Sequence, residues 1–105
     1  MDVLMTDELK GLYLTGKSKV YKDVERNPVL YKGFTRVVDS MMSSPNIEDL
    51  KTLSFLHYEQ LRYQYSGFSS VRLSNRYVQR LLFTESENGI EVQLINIDDT
   101  HYGNK

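Results

Sequence analysis

The chain contains no cysteine, which removes a disulfide framework, a thiolate zinc site and a thiol nucleophile together. That absence fits a reducing compartment. No apolar run approaches the roughly 20 residues that span a bilayer. The N-terminal stretch MDVLMTDELK carries acidic residues where a secretory leader needs cations. Neither a membrane anchor nor a signal peptide is expected, and the expected location is cytoplasmic. Gly11, Gly16 and Gly33 are scattered and form no phosphate-cradling loop. There is no G-x-S-x-G elbow, internal repeat, low-complexity tract or linker. With 105 residues the chain reads as a single domain, 1–105. A chain this short forms one core but no deep cavity for a large cofactor, and none is expected.

Net charge is also nearly absent, at −1, which by itself argues against a nucleic-acid protein. Its distribution argues the other way. Residues 51–82 carry Lys51, Arg62, Arg72, Arg76 and Arg80 against Glu59 alone, whereas residues 83–105 carry five acids against Lys105. Positive charge is therefore concentrated in one stretch, mostly as arginine, the side chain suited to bidentate phosphate contact and to stacking on bases.

Val3-Leu4-Met5 reads as a short first strand. Thr6 has the character of an N-cap ahead of Leu9, Leu12 and Tyr13 at helical spacing, and Gly16 that of a terminating glycine. Lys17 to Glu25 is expected to continue as helix. Asn27-Pro28 then starts a further helix, with asparagine as cap and proline at the first position. Val29, Leu30, Phe34, Val37, Val38, Met41 and Met42 recur at the spacing of a core-facing helical stripe. Ser43-Ser44-Pro45 ends this helix, and Asn46 to Leu50 reads as a capped single turn. From Tyr58 the period changes to two, with Tyr58, Gln60 and Arg62 on one face and Glu59, Leu61 and Tyr63 on the other. Further strands are expected at Ser69 to Leu73, Gln79 to Thr84 and Glu91 to Ile97, with Asn88-Gly89 as the turn of the last hairpin. Helices first and a meander after them is the order of an α+β domain, N-terminal helices packed on a small antiparallel sheet whose other face meets water.

The two histidines, His57 and His101, bracket the basic stretch. An isolated histidine is more often a surface or capping residue than a catalytic one, but this pair is placed to serve as acid and base. Cleavage of RNA by internal transfer needs a base at the ribose 2′-OH, an acid at the leaving 5′-oxygen, and cations against the charge that builds on the phosphoryl oxygens. It needs no metal. Arg72 and Arg80, each in an expected strand, are the candidate cations; a solvated sheet surface is their ordinary alternative. Tyr58, Tyr63, Tyr65, Phe68 and Tyr77 interleave with the arginines, and any that are not core would offer bases a stacking surface. Asp98 and Asp99 beside His101 are a conceivable metal group, but no matching cluster occurs elsewhere.

Several segments, in order along residues 7–102, resemble the HigB branch of the RelE/ParE toxin superfamily. They are Glu8 to Ser18 (ELKGLYLTGKS), Asn46 to Leu50 (NIEDL), Leu56 to Leu61 (LHYEQL), Ser69 to Leu73 (SSVRL) leading to Arg80 to Phe83 (RLLF), and the tail Ile97 to Tyr102 (IDDTHY). The resemblance implies a RelE-like toxin fold of two or three helices on an antiparallel sheet. It implies an mRNA interferase, a ribosome-dependent endoribonuclease that inhibits translation without a metal. It also implies a helix-turn-helix, HigA-like antitoxin as partner, with operator DNA bound only through the toxin–antitoxin complex. Carried over by position, His57, Arg72, Arg80, Asp99 and His101 are the catalytic candidates, and Arg62, Arg76, Tyr77 and Tyr102 the candidates for RNA binding. The stretch between Arg72 and Arg80 is one or two residues longer than is usual in the family, Thr100 stands where many relatives have tyrosine, and the overall charge is unusually low. The competing expectation is a ParE-like gyrase inhibitor or a non-catalytic binding module on the same scaffold.

Overall fold

The computed structural model describes residues 1–99. In chain order the elements are β1 (Asp2–Met5), α1 (Asp7–Thr15), α2 (Lys22–Arg26), α3 (Pro28–Ser43), α4 (Ile47–Lys51), β2 (Glu59–Gln60), β3 (Ser69–Arg72), β4 (Arg80–Glu85) and β5 (Glu91–Asp98). Short 3-10 turns occupy Ser54–Leu56 and Tyr63–Tyr65. The five strands form one sheet in the order β1-β5-β4-β3-β2. Strands β2 to β5 are the expected antiparallel meander. The first strand joins it in parallel, with Val3 opposite Val92 and Met5 opposite Leu94, so the sheet is mixed at that edge. None of the described helices is long and apolar enough to cross a membrane.

The helix ends follow from local chemistry. Leu9 N donates to Thr6 Oγ1 at 3.3 Å, and Gly16, at φ 74°, sends its N–H back to Leu12 O at 2.9 Å. Asn27 Oδ1 accepts from Val29 N at 3.0 Å and Leu30 N at 3.3 Å, ahead of Pro28 at the first helical position. Asn46 Oδ1 accepts from Asp49 N at 2.9 Å and starts α4.

The helix expected over Lys17 to Glu25 is replaced by an irregular segment and the short α2. Ser18 Oγ accepts from Val20 N at 3.1 Å and Tyr21 N at 2.9 Å, while Ser18 N donates to Glu25 Oε1 at 2.7 Å. Side chains have taken the donors that a continuous helix would need, the usual way in which serine competes with helical bonding.

The core lies between α3 and one face of the sheet. Leu30, Phe34, Val37, Val38 and Met41 of α3 are buried, as are Val71, Leu73, Leu81, Phe83, Val92, Leu94 and Ile97 of the strands and their ends. Val29 and Met42, expected on the same stripe, are 36% and 44% exposed. Each lies one residue, about 100° of helix rotation, away from a buried neighbour, and falls off the edge of the stripe. Gly33 lets α3 approach the sheet closely, because a Cβ there would lie 1.9 Å from Leu73 O.

Two departures from strict alternation shape the other face. The expected run from Tyr58 shortens to Glu59–Gln60 because the chain turns at Tyr63, which has φ 60°. In β5, Asn96 stands opposite Leu82 while Leu94 stands opposite Phe83. Ile95 is therefore the extra residue of a bulge. This slip keeps Leu94 and Ile97 both toward the core and turns Asn96 and Asp98 outward. A hairpin forms where Asn88-Gly89 marks one, but its turn is centred one residue earlier, on Glu87-Asn88: the N–H of Gly89, at φ 71°, reaches Ser86 O at 3.0 Å.

Candidate functional site

The face of the sheet turned away from the helices carries two cross-strand rows. Arg72 stands directly opposite Arg80, which stands opposite Asp98. One rung pair further along, Glu59, Ser70, Leu82 and Asn96 stand in line across four strands. Directly opposed residues share a face, and so do residues two apart on one strand. The register thus gathers two arginines, two carboxylates, a serine and an asparagine on one surface. Like charges set opposite each other repel, so the Arg72–Arg80 pair is tolerable only with compensating anions beside it.

Glu59 supplies that compensation. Its Oε1 lies 2.7 Å from Arg80 Nη1, and Ser70 Oγ lies 3.4 Å from the same nitrogen. The Arg80 side chain is 13% exposed and that of Glu59 44%, so the guanidinium is largely withdrawn from water while the carboxylate keeps an open side. The segment after β2 covers part of this face: Leu61, Tyr65 and Phe68 close over Leu82. At the β5 end the phenol of Tyr21, whose pKa burial raises, donates to Asn96 Oδ1 at 2.7 Å.

The expected site residues divide between this surface and others. Arg72 and Arg80 come together on it, and Asp99 follows Asp98 at the end of β5, exposed. His57 is exposed and lies two residues before β2 at φ 49°, where its N–H closes the 3-10 turn on Ser54 O at 3.2 Å. Arg62 is exposed beyond the other end of β2, the end toward which β3 begins, and does not join the Arg72–Arg80 row. Arg76 lies exposed in the β3–β4 loop with its Cζ 5.9 Å from the Tyr77 ring, and Tyr77 packs partly on the main core. His101 and Tyr102 lie outside the described residues. The acid at the centre of the surface, Glu59, was not among the expected residues; the signal for it is its position as the lone acid of the basic stretch.

The aromatic rings also sort themselves. Tyr58 turns to the helix side, where its hydroxyl donates to Glu85 Oε2 and lies 3.2 Å from Ser69 Oγ, and its ring lies 6.2 Å from that of Phe83. Burial, reinforced by the Glu85 hydrogen bond, pushes its pKa up to about 12. Tyr65 and Phe68 pack against Leu61 and Leu82. Tyr63 is the ring left free for stacking, 85% exposed at a positive φ. Among the described residues no three histidine or carboxylate side chains lie close enough together to hold a metal ion.

No protein-family model matches the sequence, and a comparison with curated proteins likewise finds no match. Solved structures do match the fold. A YoeB–YefM complex from Staphylococcus aureus aligns with a TM-score of 0.55 at 16% identity, covering 97% of this chain and 98% of the matched one. A YoeB/ParE toxin from Agrobacterium tumefaciens aligns with a TM-score of 0.54 at 15% identity, covering 96% and 100%. Over nearly its whole length the chain therefore has the α+β fold of YoeB/ParE-type toxins.

Proposed function

We propose that the chain is the toxin of a type II toxin–antitoxin pair and acts as an endoribonuclease that cuts mRNA on the ribosome. The observation that carries this reading is Arg80, desolvated on the open sheet face, braced by Glu59 at 2.7 Å and flanked by Arg72. A phosphodiester entering there competes with Glu59 for the Arg80 donors. The freed carboxylate accepts the proton of the ribose 2′-OH as its oxygen forms a bond to phosphorus. Arg80 and Arg72 offset the charge on the phosphoryl oxygens as the P–O5′ bond breaks. His101 donates the proton taken up by the departing 5′-oxygen. The products are a 2′,3′-cyclic phosphate and a 5′-hydroxyl end; Glu59 ends with one proton gained and His101 with one proton lost, and the step needs no metal. In this scheme Glu59 takes the base role; the sequence pairs His57 with His101 as acid and base, and the exposed His57, whose backbone N–H closes the turn on Ser54 O, is the alternative base. Asp99, at the exposed end of β5, is the candidate to orient His101. The exposed Tyr63 is a stacking ring for a neighbouring base.

The antitoxin partner is inferred from the matched YoeB–YefM complex, and a helix-turn-helix, HigA-like protein remains the partner that the sequence resemblance implies. The test is inducible expression in bacteria followed by mapping of message 5′ ends, alongside Glu59→Gln, Arg80→Ala and His101→Ala. Codon-phased cuts bearing 5′-hydroxyl ends, lost in the three variants, are expected. Growth arrest with intact messages would instead favour the ParE-like or non-catalytic reading.

A further inference from the structure

A groove of about 410 Å³ opens between α3 and the β3–β4 loop, lined on the helix side by Lys32 and Arg36 and on the loop side by Ser74, Asn75 and Arg76. Its lining has three cations and no carboxylate. All three cations are exposed, and none forms an ion pair among the described residues. Lys32 and Arg36 sit four residues apart on one helix, where like charges repel. The acid nearest to them along α3, Asp39, is engaged elsewhere by the Tyr13 hydroxyl at 2.5 Å.

The groove is also held in shape. Arg36 Cζ lies 4.4 Å from the centroid of the Phe55 ring, which fixes the guanidinium and strips water from one of its faces. Ser74 Oγ accepts from Arg76 N at 3.1 Å and sets the loop that carries the third cation. Gly33 and Leu73 form the floor, in a contact too close for any side chain at position 33. The loop leaves β3 immediately after Arg72, but the groove lies against α3 and includes neither Arg72 nor Arg80, so it is a surface distinct from the Arg72–Arg80 row.

We propose that this groove binds the phosphate backbone of a nucleic-acid strand, separately from the sheet surface. Two guanidinium forks, an ammonium, a hydroxyl and an amide form a donor set suited to successive phosphates. An acidic peptide would satisfy the charge as well, but two guanidinium forks with neutral hydroxyl and amide donors beside them suit the paired oxygens of successive phosphates, which favours a polynucleotide. The proposal does not require that the chain cut RNA.

The test is fluorescence anisotropy with a labelled 2′-O-methyl oligouridylate, which cannot be cleaved through a 2′-OH, measured over a range of salt concentrations. The Lys32→Ala/Arg76→Ala variant leaves the Arg36–Phe55 stack in place. It is expected to flatten the slope of log affinity against log salt by about 1.4, at roughly 0.7 per cation lost, and to weaken low-salt binding about tenfold. The same difference is expected in an Arg80→Ala background, which separates the groove from the sheet site. A variant with an unchanged melting temperature, slope and affinity overturns the proposal. So does a polyglutamate peptide that binds more tightly than the oligonucleotide at equal ionic strength and is lost in the same variant, which would assign the groove to a protein partner. Loss of mRNA cutting in cells, with groove binding intact, would refute the proposed activity and leave this inference standing.

Discussion

Replacing Gly33 by alanine sets two effects of known sign against each other. Within a helix the change is worth about 1 kcal/mol of stabilisation from propensity alone. Against it stands the added methyl group, which would be 1.9 Å from Leu73 O and 2.8 Å from Leu73 C. Close carbon–oxygen contacts sit at about 3.3 Å or more, so α3 and β3 must separate by roughly 1.4 Å. The obstacle is backbone, so no rotamer change relieves it. A gap of that order forfeits roughly half or more of the dispersion contact across it, and the contact here is the face on which Phe34 and Val37 of α3 are buried. Overpacking costs of about 1–3 kcal/mol, and occasionally more, are usual in better circumstances. The expected net result is a destabilisation of about 2–4 kcal/mol, or roughly 10–25 °C in Tm for a domain of this size. Gly11 in α1 is the internal control, since a Cβ there meets nothing within 4 Å. Gly11→Ala should stabilise by about 0.5–1 kcal/mol. Thermal and urea unfolding followed by circular dichroism measures both. If Gly33→Ala melts at or above the parent temperature, the close approach of α3 to Leu73 is wrong, and with it the account of how the groove is shaped.

Other perturbations probe the site and its surroundings. Arg80→Lys keeps the charge but loses the planar guanidinium, whose Nη1 reaches both Glu59 and Ser70 and whose other donors can face a phosphate, so cleavage of mRNA should fall about 10²-fold or more while the fold melts near the parent temperature; full activity would remove Arg80 from the chemistry. Tyr63→Gly should relieve the positive φ and leave stability equal or slightly raised, yet weaken RNA binding by about 1–3 kcal/mol if the exposed ring stacks on a base. Oligonucleotide affinity equal to that of the parent would show the ring to be idle. Tyr58 holds its proton more tightly in the folded state, with a pKa raised from 10.0 to about 12. Its contribution to stability is therefore complete below pH 10 and is lost as pH rises through about 12. Tyr58→Phe should flatten the loss of stability between those values in alkaline urea titrations, and an identical slope would contradict the burial of the phenol.

Much of this architecture is encoded in short stretches of chain. Thr6, Asn27 and Asn46 satisfy helix donors two or three residues away, Gly16 and Gly89 take left-handed turns, and the α3 stripe follows helical spacing. These features depend on neighbours in sequence, so the sequence alone determined them, together with the helices-then-meander order and the concentration of arginine before the last hairpin. Even there a local rival was decisive at Ser18, whose hydroxyl diverts two backbone donors from the helix expected over Lys17 to Glu25.

The tertiary structure decided what depends on register between distant strands. Parallel pairing of β1 with β5 joins residues some ninety positions apart, and no periodicity within either segment encodes it. The bulge at Ile95 shifts β5 by one residue, and that slip brings Asp98 onto the face of Arg80. Glu59 was visible in the sequence as a lone acid, but its role depends on a carboxylate and a guanidinium 21 positions apart meeting across the sheet. The basic groove arises in the same way, since Lys32 and Arg36 gain their significance only where Gly33 allows the β3–β4 loop, with Arg76, to lie against α3. Caps and stripes are settled by bonds within one or two turns of chain; a site is settled by which strands pair, and in which register.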